Sequence, residues 1–215
     1  MKLVSVNVGL PREVDWRGRA VLSGIWKTPV TGRVRVGRLN LEGDRQADLS
    51  VHGGAEKAVY AYPSEHYAYW RRELPALELS WGAFGENFTT DGLGEGDVGI
   101  GDRLRVGTAE FLVTQPRMPC YKLGMRFARP DLVKRFLASG RTGFYLAVLD
   151  EGEVGEGDPI EIVAREARSV TVADIVGLYT HDAGNQGLLQ RAVDLPALPA
   201  SWREYLQKRL WEPDA

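Results

Sequence analysis

Cysteine is almost missing from this chain: one residue, Cys120, in 215. A single thiol excludes an internal disulfide, an all-cysteine iron–sulfur cluster and a four-cysteine zinc site. Long apolar runs are missing too. No stretch reaches 18 consecutive apolar residues, so no transmembrane helix is expected. A basic surplus is also absent, with 27 Lys and Arg against 29 Asp and Glu and a net charge of −2. A general nucleic-acid binder carries such a surplus to neutralise phosphates, so direct nucleic-acid binding is not expected. The three histidines, His52, His66 and His181, are too widely spread to suggest a three-histidine zinc site. No phosphate-binding G-x-x-x-x-G-K-[ST], no G-x-S-x-G and no H-E-x-x-H occurs. Gly94 to Gly99 spells G-x-G-x-x-G, but it places two acids where a pyrophosphate would lie, and no helix pattern follows. The amino terminus alternates like a strand with no small-residue cleavage site after it. The expectation is a cytoplasmic protein beginning at Met1.

What is present fits a soluble globular chain of one large domain, or one domain with a small addition: 44% hydrophobic and 26% charged residues. Of the 25 glycines, only Gly177, Gly184 and Gly187 fall in the last 50 residues. That asymmetry divides the chain into a turn-rich part, residues 1–166, and a helical tail, residues 167–215. Strand-like runs cover Leu3–Val8, Arg33–Leu39, Ala58–Tyr62, Arg103–Val106, Glu110–Thr114, Gly143–Leu149 and Pro159–Val163. Gly43-Asp44, Gly101-Asp102 and Gly157-Asp158 read as turns entering strands. Short strands at this spacing favour a closed barrel, because closure removes exposed edges.

Two helices interrupt the strands. Ser64 is placed to N-cap one from Glu65 to about Leu74, with Tyr67, Trp70 and Leu74 on one face. Another starts at Pro130-Asp131 and stops at Gly140, grouping Val133, Phe136 and Leu137. In the tail, Thr171 and Asp174 have capping-box spacing, Leu188 to Val193 forms a second helix, and Ser201 with Glu204 opens a third through Trp211. The fold class is therefore mainly β (α+β): a β-barrel with inserted helices and a small C-terminal three-helix segment.

The chemistry concentrates in three loops. In Thr114-Gln115-Pro116-Arg117-Met118-Pro119-Cys120-Tyr121-Lys122 two prolines stiffen the backbone that carries the thiol. Arg117 and Lys122 favour a thiolate, the form that attacks electrophiles or binds metals. Inert core packing is the competing account of a lone cysteine, and a charged, proline-rich loop suits it poorly. In Gly43 to Tyr62, His52 precedes Gly53-Gly54, whose backbone can approach a ligand closely and offer N–H groups to an oxyanion. His52 and Lys57 would add hydrogen bonds and positive charge, with Asp48 orienting one of them. A polar hairpin with a self-tethering histidine explains the stretch equally well. Phe84 and Phe88 bracket Asn87, giving either a polar tip at a core edge or an ordinary turn. Lys27 beside Trp26 is by itself a solvated lysine, and Arg33, Arg35 and Arg38 read as a solvated strand edge.

Together these segments resemble a known family. Lys27-Thr28-Pro29, Gly43-Asp44-Arg45-Gln46-Ala47-Asp48, Val51-His52-Gly53-Gly54, Phe84-Gly85-Glu86-Asn87 and Gln115 to Lys122 are similar to the motifs of the MOSC domain, named for the C-terminal domain of molybdenum cofactor sulfurases. The likeness is to the bacterial hydroxylaminopurine-resistance subgroup and runs over nearly the whole chain. It implies a barrel that holds the molybdenum cofactor (molybdopterin), with Cys120 as metal ligand. Lys27, Arg45, Gly53, Gly54, Lys57, Asn87, Gln115, Arg117 and Lys122 would bind the cofactor. His52 or Asp48 would deliver protons or orient the substrate beside Cys120.

The implied activity is reduction of N-hydroxylated small molecules, in which two electrons and two protons convert an N–OH group to an amine and water. Amidoxime-reducing relatives carry an extra N-terminal barrel, and others a fused ferredoxin domain; the expectation for this chain is neither. Electrons would then come from a separate flavoprotein. The tail helices offer a face for that donor or for a homodimer. A non-enzymatic cofactor or sulfur carrier, and a metal-free thiol enzyme, remain alternatives.

Overall fold

The computed structural model describes residues 1–47 and 53–211. Short strands dominate the first part: β1 (Lys2–Val8), β2 (Arg12–Asp15), β3 (Ala20–Ser23), β4 (Thr28–Val30) and β5 (Val34–Val36). A 3₁₀ turn (Ala55–Lys57), β6 (Val59–Pro63), α1 (Glu65–Glu73), β7 (Phe88–Asp91), β8 (Arg103–Val106) and β9 (Ala109–Pro116) follow. Next come α2 (Tyr121–Arg126), α3 (Leu132–Ala138), β10 (Phe144–Asp150), β11 (Gly152–Val154) and β12 (Ile160–Ala164). The tail is α4 (Val172–Thr180), α5 (Gln186–Val193) and α6 (Ala200–Trp211). Among the described residues no helix is long and apolar enough to cross a membrane.

Eight strands form one sheet in the order β12-β8-β9-β10-β6-β7-β1-β4, antiparallel except for the β6–β7 pair. The sheet curls back on itself. The Leu3 amide donates to the Asp158 carbonyl (2.9 Å), Gly157 to Leu3 (2.8 Å) and Ile160 to Met1 (3.1 Å), joining the start of β1 to the approach of β12. This is the barrel-like closure that the sequence suggests, made through a short irregular seam. β2–β3, a hairpin, and β5–β11, a pairing of strands distant in sequence, are separate two-stranded antiparallel sheets.

The three Gly-Asp pairs are turns with a shared device. Gly43, Gly101 and Gly157 all have φ between 80° and 95°. Each following aspartate accepts a backbone N–H: Asp44 from Gly9, Asp102 from Gly99 and Asp158 from Gly155, all at 2.9 Å. The strand expected over Arg33–Leu39 shortens to β5, because the Gly37 amide turns away to the Asn40 carbonyl (2.9 Å).

Two apolar clusters hold the molecule. The first joins barrel residues such as Leu3, Phe88, Phe111 and Phe144 to tail residues Leu178, Leu189 and Leu206. The second is aromatic and lies between β6, α1 and α3, with Trp70 and Phe136 stacked 5.3 Å apart. Tyr67, Trp70 and Leu74 are buried as one face of the first helix, as periodicity predicts. Ser64 stands at the N-cap but makes no side-chain cap; its hydroxyl leans toward the Glu65 carboxylate. In α3 the buried pair is Leu132 and Phe136, while Val133 and Leu137 are half-buried, so the inner face is rotated from the expected one.

The capping box at α4 forms in full, with Asp174 N–H to Thr171 Oγ1 at 3.0 Å and Thr171 N–H to Asp174 Oδ2 at 2.8 Å. The box expected at Ser201 does not form. The Trp202 and Arg203 amides bond to the Pro199 carbonyl, so the helix starts at Ala200, two residues earlier than that box implies, and Ser201 lies inside its first turn.

Candidate functional site

The most chemically loaded cavity is a cleft of about 610 Å³ at one end of the sheet. Its wall is built from the segment after β3, the turn before residue 48, Lys57, Tyr60 on β6, Phe84 to Asn87, the loop after β9 and Tyr145 on β10. Among the described residues, five basic side chains, Lys27, Arg45, Lys57, Arg117 and Lys122, share this wall with one carboxylate, Asp44. Cys120 lies in the same wall, half-buried, at the extended residue that precedes α2.

β9 sets the loop that carries the thiol. Thr114 Oγ1 donates to the Glu56 carbonyl (2.7 Å) and reaches the Tyr145 carbonyl (3.1 Å), tying the 3₁₀ turn with Lys57 to the strand. The Arg117 amide then bonds to the Gly143 carbonyl (3.1 Å). Its guanidinium is buried, 5.5 Å from the ring centres of both Tyr60 and Phe136. Burial works against that charge, but Tyr60, Tyr145 and Cys120 outweigh it and push the Arg117 pKa up. Arg117 Nη1 is buried with no hydrogen-bond partner among the described residues. A buried, unsatisfied donor on a fixed cation is costly unless something fills it.

Lys27 and Asp44 form a buried ion pair on the opposite side. Asp44 also accepts from the Gly9 amide and from Asn87 Nδ2, both at 2.9 Å. Burial lowers the Lys27 pKa, against the pull of Asp44. Lys57 is likewise lowered by burial, with Glu56 opposing. Lys122 Nζ donates to the Leu22 carbonyl (3.2 Å), fastening α2 to β3.

Among the sequence-derived site residues, Cys120, Lys27, Arg45, Lys57, Asn87, Arg117 and Lys122 come together in the cleft wall. Asn87 is there chiefly as a bracket: its Oδ1 accepts from the Tyr60 amide (3.1 Å) and its Nδ2 reaches the Asn7 carbonyl (3.2 Å) as well as Asp44. Gln115 stands outside the wall. Its Oε1 accepts from Trp202 Nε1 (3.0 Å), which pins α6 to β9. Gly53 and Gly54 lead into the 3₁₀ turn without lining the cleft, and the Gly54 amide bonds to Gln46 Oε1 (3.2 Å). Asp48 and His52 lie outside the described residues.

Four contributors are absent from the site residues read from the sequence. Asp44 is the counter-charge to Lys27, although its motif is visible in the sequence. Gln46 Nε2 donates to the Lys57 carbonyl (2.8 Å) and so sets the turn that presents that lysine. Tyr60 and Tyr145 are cross-strand partners on β6 and β10, with rings 5.5 Å apart, and their phenol pKa values are raised by burial. Only the strand pairing reveals that they share the cleft.

Comparison with known proteins agrees with this arrangement. A family model described as the MOSC domain matches residues 48–161, and one described as the YiiM-like 3-alpha helix domain matches residues 170–211. Protein YiiM of Escherichia coli (strain K12) is 40% identical over 189 residues, covering 87% of this chain and 84% of that protein. The crystal structure of YiiM from Geobacillus stearothermophilus superposes with a TM-score of 0.81 at 41% identity, covering 97% of this chain and 98% of that one. A protein named Reductase from Gibberella moniliformis (strain M3125 / FGSC 7600) is 34% identical over 182 residues, which are 83% of this chain but only 32% of that protein. The barrel and the three-helix tail that follows it are thus shared with relatives along nearly the whole chain, which belongs to the MOSC domain family in its YiiM-like form.

Proposed function

We propose that the chain is a cytoplasmic reductase of N-hydroxylated small molecules, hydroxylaminopurine-type base analogues among them, working with the molybdenum cofactor. The carrying observation is the cleft wall: among the described residues, five cations against one carboxylate and a buried Arg117 donor with no partner, and beside them the chain's one thiol. A molybdopterin fits such a set. Its phosphate suits Lys57, Arg117 and Lys122, with Lys27 and Arg45 adding charge. Thiolate sulfur from Cys120 suits a metal that already carries sulfur ligands.

When bound, the cofactor supplies two-electron oxygen-atom chemistry, and the protein contributes position and electrostatics. Lys27, kept in place by Asp44, presents a buried ammonium to the cleft. Tyr60 and Tyr145 stay protonated and fill the wall behind Arg117. Asp48 or His52 delivers protons to the departing oxygen or orients the hydroxylamine. A separate flavoprotein supplies the electrons, since one cysteine makes no iron–sulfur relay. The relative named Reductase supports a redox activity.

The test is molybdenum content of wild type beside Cys120→Ser, both purified folded from a host that makes the cofactor, followed by hydroxylaminopurine reduction. Near-stoichiometric molybdenum and turnover in wild type, both lost in the variant, is the expected result. Molybdenum in neither form overturns the assignment, and molybdenum without turnover would make the protein a carrier instead.

A further inference from the structure

β2 and β3 form a sheet of their own, outside the eight-stranded one. The two-residue tip between them, Arg17 and Gly18, takes the positive φ of a tight hairpin turn, and Trp16 and Arg19 close it with paired backbone bonds (2.8 and 3.2 Å). Val14, Trp16, Val21 and Leu22 belong to neither apolar cluster, and Arg12, Glu13, Asp15, Ala20 and Leu22 are exposed. A two-stranded hairpin without an apolar face on a core is marginally stable by itself. Its stems, by contrast, are fixed. The Gly9 amide donates to Asp44 Oδ1 (2.9 Å), and the Gly9 carbonyl accepts the Arg45 amide (3.2 Å). On the other stem, a Cβ at Gly24 would lie 2.6 Å from the Arg45 carbonyl oxygen, so that backbone presses on the same turn. The arm is thus anchored at its foot on two cleft residues and lightly held above it.

Above the foot, among the described residues, one hydrogen bond crosses from the arm, residues 12–22, to the body of the molecule. Lys122 Nζ donates it to the Leu22 carbonyl (3.2 Å). Lys122 is buried and lines the cleft, as do Ser23, Gly24 and Ile25 where the arm begins. An ammonium carries three donors, so one can stay on Leu22 while two reach an anion in the cleft. Holding the arm with Lys122 alone means ordering a long, rotamer-rich side chain for one neutral acceptor. An anion that already fixes the ammonium removes most of that cost, and the same bond then holds the arm more firmly.

We propose that the β2–β3 hairpin is a lid on the cleft and that Lys122 couples its closure to an anionic occupant. Naming that occupant as the cofactor's phosphate rests on the reductase reading; the coupling itself does not. A lid that tightens on the bound phosphate retains the cofactor as a resident group instead of passing it on.

Hydrogen exchange of residues 12–23 reads the lid without any assay of activity. Wild type and Lys122→Met are each prepared from a cofactor-making host and from a host that cannot make the cofactor, with molybdenum content measured for all four. In wild type, loading is expected to slow exchange in the hairpin about tenfold, with the slowing lost in the loaded variant. Between the empty proteins, the variant's hairpin should exchange about threefold to tenfold faster, while β9 and β10 stay unchanged. Loaded wild type with the same hairpin exchange as empty wild type overturns the proposal, and that comparison needs no variant. Equal slowing in the loaded variant overturns it too, because Lys122 would not be the coupling. If the variant holds no molybdenum, the empty pair decides: equal exchange in the two hairpins overturns the latch. Wild type without molybdenum counts against the reductase, and inorganic phosphate added to the empty proteins then decides the lid. Slowing by phosphate in wild type but not in Lys122→Met upholds it, and no slowing in wild type removes it.

Discussion

Asp44 is held by three donors, Lys27 Nζ, the Gly9 amide and Asn87 Nδ2, and it is buried together with Lys27 and Asn87. Removing its charge leaves the Lys27 ammonium buried and uncompensated, whereas removing Lys27 leaves a carboxylate that two N–H groups still satisfy. Asp44→Asn is therefore expected to cost about 3 kcal/mol and Lys27→Met less, with the double variant recovering part of the sum. Urea denaturation of the four proteins checks this, and strict additivity would show that the pair is not coupled. Glu95 provides a second residue-scale case. Its carboxylate meets His66 Nε2 at 2.8 and 3.0 Å and accepts the Gly143 amide at 2.7 Å. Burial alone would raise its pKa, but His66 and Gly143 hold it below the ordinary 4.5. Its contribution is thus complete above 4.5, where the unfolded chain is ionised as well. It is lost as pH falls from there through the lowered folded value. The stability gap between wild type and Glu95→Gln should accordingly shrink as pH falls below about 5; a gap that widens in acid would contradict this.

At the scale of elements, Gly143 is where several of these threads meet. It precedes β10 with φ +64°, donates to Glu95 and accepts from the Arg117 amide. A Cβ there would sit 2.4 Å from the Ala61 carbonyl oxygen and 2.8 Å from the Tyr60 ring. Gly143→Ala should cost about 2 kcal/mol or more and should weaken cofactor retention, because β10, β6 and Arg117 shift together. Thermal unfolding and molybdenum content would measure the two effects; a variant with wild-type values for both would show that the strands adapt. The same comparison shows what the sequence discloses. β8, β10 and the first half of β9 are legible because their residues alternate between core and outside, and β1 because its valines alternate with Ser5 and Asn7 in the sequence. β7 is not, since Phe88, Thr89 and Thr90 are buried in succession and no period of two appears. β2 and β3 are mostly exposed and carry no apolar face to detect. Cys120 and Arg117 stand out because a stiff, charged loop is a poor place for packing. Gln115, two residues before Arg117, shares that loop yet serves the tail, and only the Trp202 contact separates the roles.

On the whole-molecule scale, glycine usage divides the chain at residue 166, but the packing does not divide there. Backbone bonds from Ile100 to Val170 (2.8 Å), Val172 to Val98 (3.0 Å) and Ala173 to Glu95 (3.0 Å) lead the chain into the tail. Leu178, Leu189 and Leu206 then complete the same apolar cluster as Leu3 and Phe111. A chain ending at residue 166 would expose that core and leave Gln115 Oε1 without its donor. It is expected to aggregate or to unfold well below the full chain, because buried apolar area is the largest favourable contribution to folding. A milder probe is Trp202→Phe, which keeps most of the apolar bulk but deletes the indole N–H. The buried Gln115 side chain, whose Nε2 already has no partner among the described residues, would then lose its bonded oxygen as well. A cost of about 1–3 kcal/mol follows. Because Gln115 belongs to the strand that delivers Arg117, the loss should appear in barrel and tail together. Hydrogen exchange would then rise in β9 as well as in α6. Exchange rising in α6 alone would mean that the tail is a separate folding unit, with no hold on the cleft.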